Sequence, residues 1–275
     1  MSIGDAEIKT QERVIRFFKD PERLGYQYIG NLSDYQNIKE DRLRQYLRLK
    51  GYADKLIDAA VMQLQQEAGN LSRGLYDANK TVYSRLKYGI PVSESPKKPP
   101  VTVQLIDEEN PLNNDFAIAE EVTVVEQQEK RPDLVIYLNG IAVAVIELKR
   151  SSISVSEGIR QNLTNQKDTF IWGFFTTMQF CMAGNESEGL RYGTLLTGEK
   201  FYMEWKDDGF KEHEEERDPV DVRISKACEG IENKLLKQIY AMCDKERFID
   251  LIMNFVVFDK GIKKVCRYNQ YFGIK

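Results

Sequence analysis

The stretch Arg131-Pro132-Asp133-Leu134-Val135-Ile136-Tyr137-Leu138-Asn139-Gly140-Ile141-Ala142-Val143-Ala144-Val145-Ile146-Glu147-Leu148-Lys149 decides how this chain is read. Two apolar runs flank Asn139-Gly140, a pair suited to tight turns, so a strand, a turn and a second strand separate Asp133 from Glu147 and Lys149. Ile141 to Ile146 is uninterrupted apolar sequence of the kind buried on both faces of a sheet. A glutamate and a lysine at the end of such a run are costly to place unless exposed, paired or bound to metal. Glu-x-Lys also recurs by chance and an aspartate before a strand is ordinary; the buried run is what turns the balance toward a site.

The residue types suit phosphodiester hydrolysis, which needs a hard cation on carboxylate oxygens, an activated water, and positive charge where phosphorus gathers electrons. Asp133 and Glu147 would hold Mg2+, with the backbone carbonyl of Leu148 as a further ligand. Lys149 would orient the attacking water or stabilise the transition-state charge. Histidine is not required, and the chain's one histidine, His213, sits in an acidic stretch. Glu147 and Lys149, two apart on a strand, share a face, and Asp133 must reach it too. A plain two-residue turn at Asn139-Gly140 pairs Asp133 with Ile146 and turns Glu147 away. A three-residue turn of Leu138, Asn139 and Gly140, or a bulge with the same effect on register, brings the three together, and one of these devices is predicted.

The chain has 275 residues, 42% of them hydrophobic, enough for one large core or two smaller domains. No apolar stretch approaches the roughly 20 residues of a spanning helix, and no signal-peptide core opens the chain, so a cytoplasmic globular protein without a membrane segment is expected. Cys181, Cys228, Cys243 and Cys266 lack C-x-x-C spacing and read as reduced, mostly buried thiols. A net charge of −4 argues against coating nucleic acid by bulk positive charge. Contact with DNA would be local, with Lys149, Arg150, Arg160, Lys167 and Arg191 near the motif, although each alone fits a solvated face equally well.

Along the chain, residues 5 to 90 read as helical, with an amphipathic segment over 5–18 and further helices over 39–50, 53–68 and 75–88, punctuated by Gly25, Gly51 and Gly74. The proline-rich stretch Pro91 to Pro100 reads as a surface linker. Strands near 101–106 and 115–125 lead into the hairpin as a meander. A helix follows, for which Ser154 and Glu157 suggest a capping box, with Ile159 and Leu163 on its apolar side. Phe174 to Ala183 reads as a strand, and Tyr192 to Trp205 as a hairpin turning at Thr197-Gly198. The charged run 206–219 reads as an exposed boundary, and helices return after it.

Several runs together resemble the restriction (R) subunit of type I restriction-modification enzymes: Thr10 to Ile15, Leu75 to Lys80, Asn114 to Glu121, Arg131-Pro132-Asp133, Glu147-Leu148-Lys149-Arg150, and Gly158 to Leu163. The resemblance implies an α/β PD-(D/E)xK endonuclease core with a mixed central sheet and flanking helices, preceded by a helical N-terminal insertion and followed by a helical C-terminal segment. It divides the chain into 1–90, contributing to the nuclease domain, 101–206, the nuclease core, and 220–275, the start of a helicase-like translocase. Asp133, Glu147 and Lys149 match the family's catalytic positions. Gln161 looks like the glutamine of a Q-x-x-x-Y element that touches DNA, although Asn165 stands where the tyrosine would be; of the basic residues near the motif, Arg150 and Arg160 are taken with it as the DNA contacts. A helical glutamate often completes such sites, with Glu7 or Glu12 as the candidates, although an exposed helix charge is the better reading of either. The run Arg267 to Tyr271 resembles the segment ahead of a translocase phosphate loop, where Gln270 would read adenine.

The family implies cleavage of double-stranded DNA by Mg2+-assisted hydrolysis, coupled to ATP-driven translocation. ATP and S-adenosylmethionine are needed only by the full complex, which contains methylation (M) and specificity (S) subunits. No G-x-x-x-x-G-K-[ST] occurs, so the chain is expected to stop before the motor. Two other readings stay open: a docking module for the methyltransferase partner, suggested by the helical first 90 residues and the acidic 206–219 segment, and a stand-alone repair-type nuclease sharing only the motif.

Overall fold

The turn Asn139-Gly140 is the point from which the sheet grows, and it has two residues, both left-handed, with φ of 52° and 81°. Asparagine tolerates this conformation and glycine adopts it freely. The Asn139 side chain is buried and fully used: Nδ2 donates to the Leu105 carbonyl at 2.8 Å and to Asn114 Oδ1 at 2.7 Å, while Oδ1 accepts from the Asp115 N–H at 2.7 Å. These distant partners fix the shorter turn, and the longer one expected from the sequence does not form.

In the computed structural model, which describes residues 3–33, 36–95, 97–206 and 217–275, the hairpin is the centre of a six-stranded mixed sheet. The first part of the chain supplies α1 (Ile3–Lys19), β1 (Gln27–Asn31), α2 (Glu40–Leu49), α3 (Asp54–Gly69), α4 (Leu75–Tyr88) and β2 (Ile90–Val92). The middle supplies β3 (Val101–Val103), β4 (Phe116–Glu120), β5 (Val124–Val125), β6 (Glu129–Lys130), β7 (Leu134–Leu138), β8 (Ile141–Leu148), α5 (Val155–Asn165), β9 (Phe180–Asn185) and β10 (Gly189–Gly193). The last part supplies α6 (Pro219–Glu229), α7 (Lys234–Cys243), α8 (Lys245–Asn254), β11 (Val256–Asp259), β12 (Ile262–Val265) and α9 (Tyr268–Ile274). The sheet order is β1-β4-β7-β8-β9-β10, with β1/β4 and β8/β9 parallel and the other pairs antiparallel. Helix α5 is the crossover between the parallel strands β8 and β9.

The register of the hairpin shifts inside β8. Leu138 pairs with Ile141 and Tyr137 with Ala142, but Ile136 pairs with Ala144, leaving Val143 as an extra residue. This bulge is the second of the two devices that the chemistry called for. Val143 and Ala144 consequently both join the larger core, breaking the alternation, and every later residue changes face. Pairing then continues through Leu134 with Ile146, which sets Asp133 opposite Glu147.

Two cores cover the sheet. Ile118, Ile136, Ile146 and Met182 pack beneath α1 to α3 and α6 to α8, whereas Ala117, Val135, Val145 and Cys181 pack under the 3-10 segment Trp172–Thr177. The buried ammonium of Lys263 fastens the β11/β12 hairpin to this body, donating to Asn79 Oδ1 at 2.9 Å, the Met178 carbonyl at 2.9 Å and Gln179 Oε1 at 2.7 Å.

Other expectations are corrected locally. β1 lies within the stretch read as helical. β3 pairs with β2 rather than joining the central meander, so the flanks of the proline-rich segment form a small ribbon. Trp172–Thr177 is 3-10 helix, so the strand begins only at Phe180. β10 pairs with β9, and the predicted second hairpin is reduced to one bridge, Tyr192 with Met203. The C-terminal helices include the β11/β12 hairpin. Residues 207–216 of the charged run, His213 among them, lie outside the described residues. Among the described residues no helix is long and apolar enough to cross a membrane. Cys181, Cys228 and Cys243 are buried, and Cys266 is half-buried.

A Cβ at Gly140 would lie 2.6 Å from the Lys39 carbonyl and 2.8 Å from the Leu43 nitrogen, where α2 begins. Gly140→Ala therefore meets backbone as well as left-handed strain. It is expected to cost about 2–4 kcal/mol in denaturant unfolding; a loss below about 0.5 kcal/mol would contradict the two-residue turn.

Candidate active site

Asp133 follows Pro132 at the mouth of β7, where two backbone contacts orient it. Its carbonyl accepts from the Glu121 N–H at 2.9 Å, and its Oδ2 accepts from the Leu148 N–H at 2.7 Å. Glu147 lies near the end of β8, opposite Ala183 of β9. Above both strands α5 comes close at Gly158: a Cβ there would stand 3.0 Å from Ala183 Cβ and 3.4 Å from Glu147 Cβ. A glycine within an amphipathic helix is the sequence signal for such close approach. Ser154 caps this helix by accepting from the Ser156 N–H, while Glu157 turns to Arg160 instead of completing the expected capping box.

Lys149 leaves the end of β8 with its backbone N–H on the Gly184 carbonyl at 2.9 Å. Its Nζ donates to the Leu148 carbonyl at 3.0 Å and stands 3.4 Å from Glu7 Oε1 on α1 and 4.0 Å from Asp133 Oδ2. The bulge and the strand ends thus bring Asp133, Glu147, Leu148 and Lys149 together, and α1 adds Glu7. Glu12, the other helical glutamate considered, is exposed on α1.

Glu147 is fully buried, and neither carboxylate oxygen has a hydrogen-bond partner among the described residues. Burial pushes its pKa well up, the Asp133 charge pushes it further, and Lys149 opposes both. Burial also raises Asp133, against Lys149 and the Leu148 N–H, which favour its charged form. A proton on Glu147 would let it donate to Asp133. Three carboxylates face one ammonium here, an imbalance that favours a cation.

The donor set suits Mg2+, which takes one or two protein carboxylates and fills its shell with water and phosphate oxygens. The Glu147 oxygens are buried acceptors without donors, and the Leu148 carbonyl already faces the Lys149 ammonium. A protein cage for a larger cation is a worse fit. Among the described residues no three His, Cys, Asp or Glu side chains gather as a metal site.

The remaining residues singled out from the sequence are more dispersed. Gln161 is half-buried on the side of α5 that carries Gly158, and Asn165 is buried one turn on. Arg150 is half-buried just after β8. Arg160 is exposed and held by Glu157 at 2.7 Å and Glu199 at 2.9 Å. Gln270 accepts from the Arg267 N–H at 2.9 Å at the start of α9 and lines a cavity of about 440 Å3 with Phe201, Met203 and Ile262. Sequence reasoning missed Tyr202, whose buried hydroxyl has no partner among the described residues and whose phenol feels the Glu147 charge.

A family model described as "Type I restriction enzyme R protein N terminus" matches residues 7–201. Curated relatives are similar over most of the chain. The "Type I restriction enzyme HindI endonuclease subunit" of Haemophilus influenzae is 25% identical over 207 residues, covering 71% of this chain and 18% of the relative. The "Putative type I restriction enzyme MjaIXP endonuclease subunit" of Methanocaldococcus jannaschii is 27% identical over 214 residues, 71% of this chain and 19% of the relative. A second protein of that organism, "Putative type I restriction enzyme MjaVIIIP endonuclease subunit", is 26% identical over 234 residues, 82% of this chain and 20% of the relative. The matched part of the chain spans about a fifth of each relative's length.

The fold holds protons on Glu147 and Asp133 more tightly than the unfolded chain does. The stability from this pair is therefore present at low pH and lost as pH rises above the ordinary glutamate value of 4.5. Glu147→Gln is expected to stabilise the metal-free chain at neutral pH by on the order of 1–2 kcal/mol, at the expense of the site. A Tm below that of the wild type at neutral pH would mean that the carboxylate is well satisfied as it stands.

Proposed function

This chain belongs to the type I restriction enzyme R protein N-terminus family, and from that premise we propose that it carries the DNA-cleaving site of a restriction enzyme acting on foreign double-stranded DNA in the cytoplasm. The observation that carries the reading is Glu147: a fully buried carboxylate without a hydrogen-bond donor, set opposite Asp133 and two residues before Lys149. A fold retains such a group against its desolvation cost when function requires it.

In this reading the site is a PD-(D/E)xK centre. Asp133, Glu147 and the Leu148 carbonyl would hold Mg2+, and bound there it supplies Lewis acidity toward a phosphoryl oxygen and lowers the pKa of a coordinated water. The Leu148 N–H fixes the Asp133 carboxylate in place, and α5 closes over Glu147 at Gly158, keeping bulk water from that oxygen pair. Glu7 steadies Lys149, and its ammonium meets the charge that develops on the phosphate or orients the attacking water. Glu7, rather than Glu12, is the helical glutamate of the site. Gln161 and Arg150 would contact the DNA strand. Arg160 is the weakest of the DNA contacts, because Glu157 and Glu199 already neutralise it.

Cleavage would be coupled to ATP-driven translocation by the rest of a longer subunit assembled with methylation and specificity subunits, with ATP and S-adenosylmethionine required by that complex. The support for this is the family and the curated relatives named as endonuclease subunits. Any role for Gln270 in holding adenine rests on its position beside an apolar cavity alone.

The test is cleavage by the full-length subunit reconstituted with its partners, Mg2+ and ATP. Asp133→Ala should abolish cutting while ATP hydrolysis stays within about twofold of wild type, since the two chemistries use separate sites; unchanged cutting would make the motif structural. Lys149→Ala should leave divalent-ion binding in place and slow cleavage roughly 100- to 1000-fold, as removal of a transition-state donor does. Cutting by that variant at the wild-type rate would remove Lys149 from the chemistry.

A further inference from the structure

Among the described residues the buried polar side-chain atoms without partners are few, and several gather under α5. Both oxygens of Glu147 and the Tyr202 hydroxyl are among them, together with Asn162 Oδ1 one helical turn beyond Gly158. Buried hydroxyls and carboxylates in folded proteins nearly always have a partner, so a group of them in one place calls for an explanation.

Tyr202 comes from a different part of the chain, just after the 3-10 turn Glu199–Phe201. Its ring packs against Val155, Ile159 and Ala183, the apolar cluster between α5 and β9. Ala183 is the β9 residue paired with Glu147, and Gly158 touches both. Tyr202 therefore lies against the same α5–β9 cluster that Glu147 adjoins from the sheet. Burial holds its phenol protonated, and the Cys181 thiol and the Glu147 carboxylate reinforce this, so the hydroxyl is a donor. In its ionised form Glu147 is an acceptor with no donor among the described residues. The two orphaned groups are complementary.

We propose that Tyr202 is a positioning residue of the acid site, its hydroxyl donating to the Glu147 carboxylate through a bridging water and holding that side chain in the orientation that binds a divalent cation. A water suits the arrangement because the two groups are not in direct hydrogen-bond contact, and it would have the polar surroundings an internal water requires, Asn162 Oδ1 included. The inference rests on the reading of Glu147 as a metal ligand and adds to it a residue 55 positions further along the chain, supplied by the segment that leads back from β10.

The experiment is titration of the 275-residue chain with Mn2+, followed by the paramagnetic resonance of the free ion, for wild type, Glu147→Gln and Tyr202→Phe, with Tm measured on each. Tyr202→Phe keeps the ring and removes only the hydroxyl. It should weaken Mn2+ binding roughly tenfold, the usual size of an outer-shell loss, with Tm close to wild type. Glu147→Gln should weaken binding more. If Glu147→Gln weakens binding while Tyr202→Phe leaves it unchanged, the positioning role falls and the metal-site reading stands. If neither variant changes affinity, the metal-site reading falls and the positioning role with it. A Tm raised in Tyr202→Phe with unaltered affinity would show a hydroxyl that is simply unpaired and would equally overturn the role.

Discussion

One extra residue in β8 governs where the charge of this molecule goes. Side chains alternate along a strand, so without Val143 the two-residue turn would send Glu147 to the face of Ile146 and Met182, into the larger core beneath α1 to α3 and α6 to α8. An ionised glutamate in that core, distant from Asp133 and Lys149, would be a burial cost with no return. The bulge moves it to the other face, where Asp133 stands opposite and Gly158 leaves just enough space. The same shift places Val143 and Ala144 side by side in the larger core, so the apolar run is interrupted nowhere and the bulge costs little hydrophobic burial.

The local elements were legible in the sequence where local forces decide them. α2, α3 and α4 end within about a residue of their expected limits, because glycines or polar turns bound each amphipathic stretch. The hairpin and the crossover helix α5 were legible for the same reason. The need for Asp133, Glu147 and Lys149 to share a face could be derived from chemistry alone, and so could the list of devices that would achieve it. The choice between them could not, because Asn139 is held by Leu105, Asn114 and Asp115, whose positions no local pattern announces. β1 escaped notice because Gln27–Asn31 is a half-exposed edge strand containing Gly30, with neither alternation nor an apolar run to mark it. The aromatic run of Trp172–Thr177 has strand-like composition but forms 3-10 turns, with Glu126 accepting from the N–H groups of Gly173 and Phe174.

For the site, sequence spacing could find residues on one hairpin but not those delivered by other elements. Glu7 reaches Lys149 from α1, and Tyr202 packs against Ala183, the β9 partner of Glu147, from beyond β10. Neither bears a fixed spacing to the hairpin. What could be reasoned in advance is the kind of group required: a buried carboxylate pair with a single ammonium is short of positive charge and of donors, so something else must supply them.

The surroundings of the site also explain how an acidic chain can be reconciled with a polyanionic substrate. Arg160 is engaged by Glu157 and Glu199, Arg191 by Glu204, and Arg13 by Glu186, so much of the positive charge on neighbouring elements is compensated within the protein. Each exposed pair contributes little to stability but removes a cation that could displace counterions from DNA. A net charge of −4 and these occupied arginines leave little uncompensated positive charge on these elements for binding a duplex. In the proposed reading, residence at a phosphodiester would then depend on a divalent cation between the carboxylates and the phosphate, and on whatever else grips the duplex. If the proposed site is a nuclease centre, this arrangement would favour cutting of DNA that is held against it over DNA that merely diffuses past.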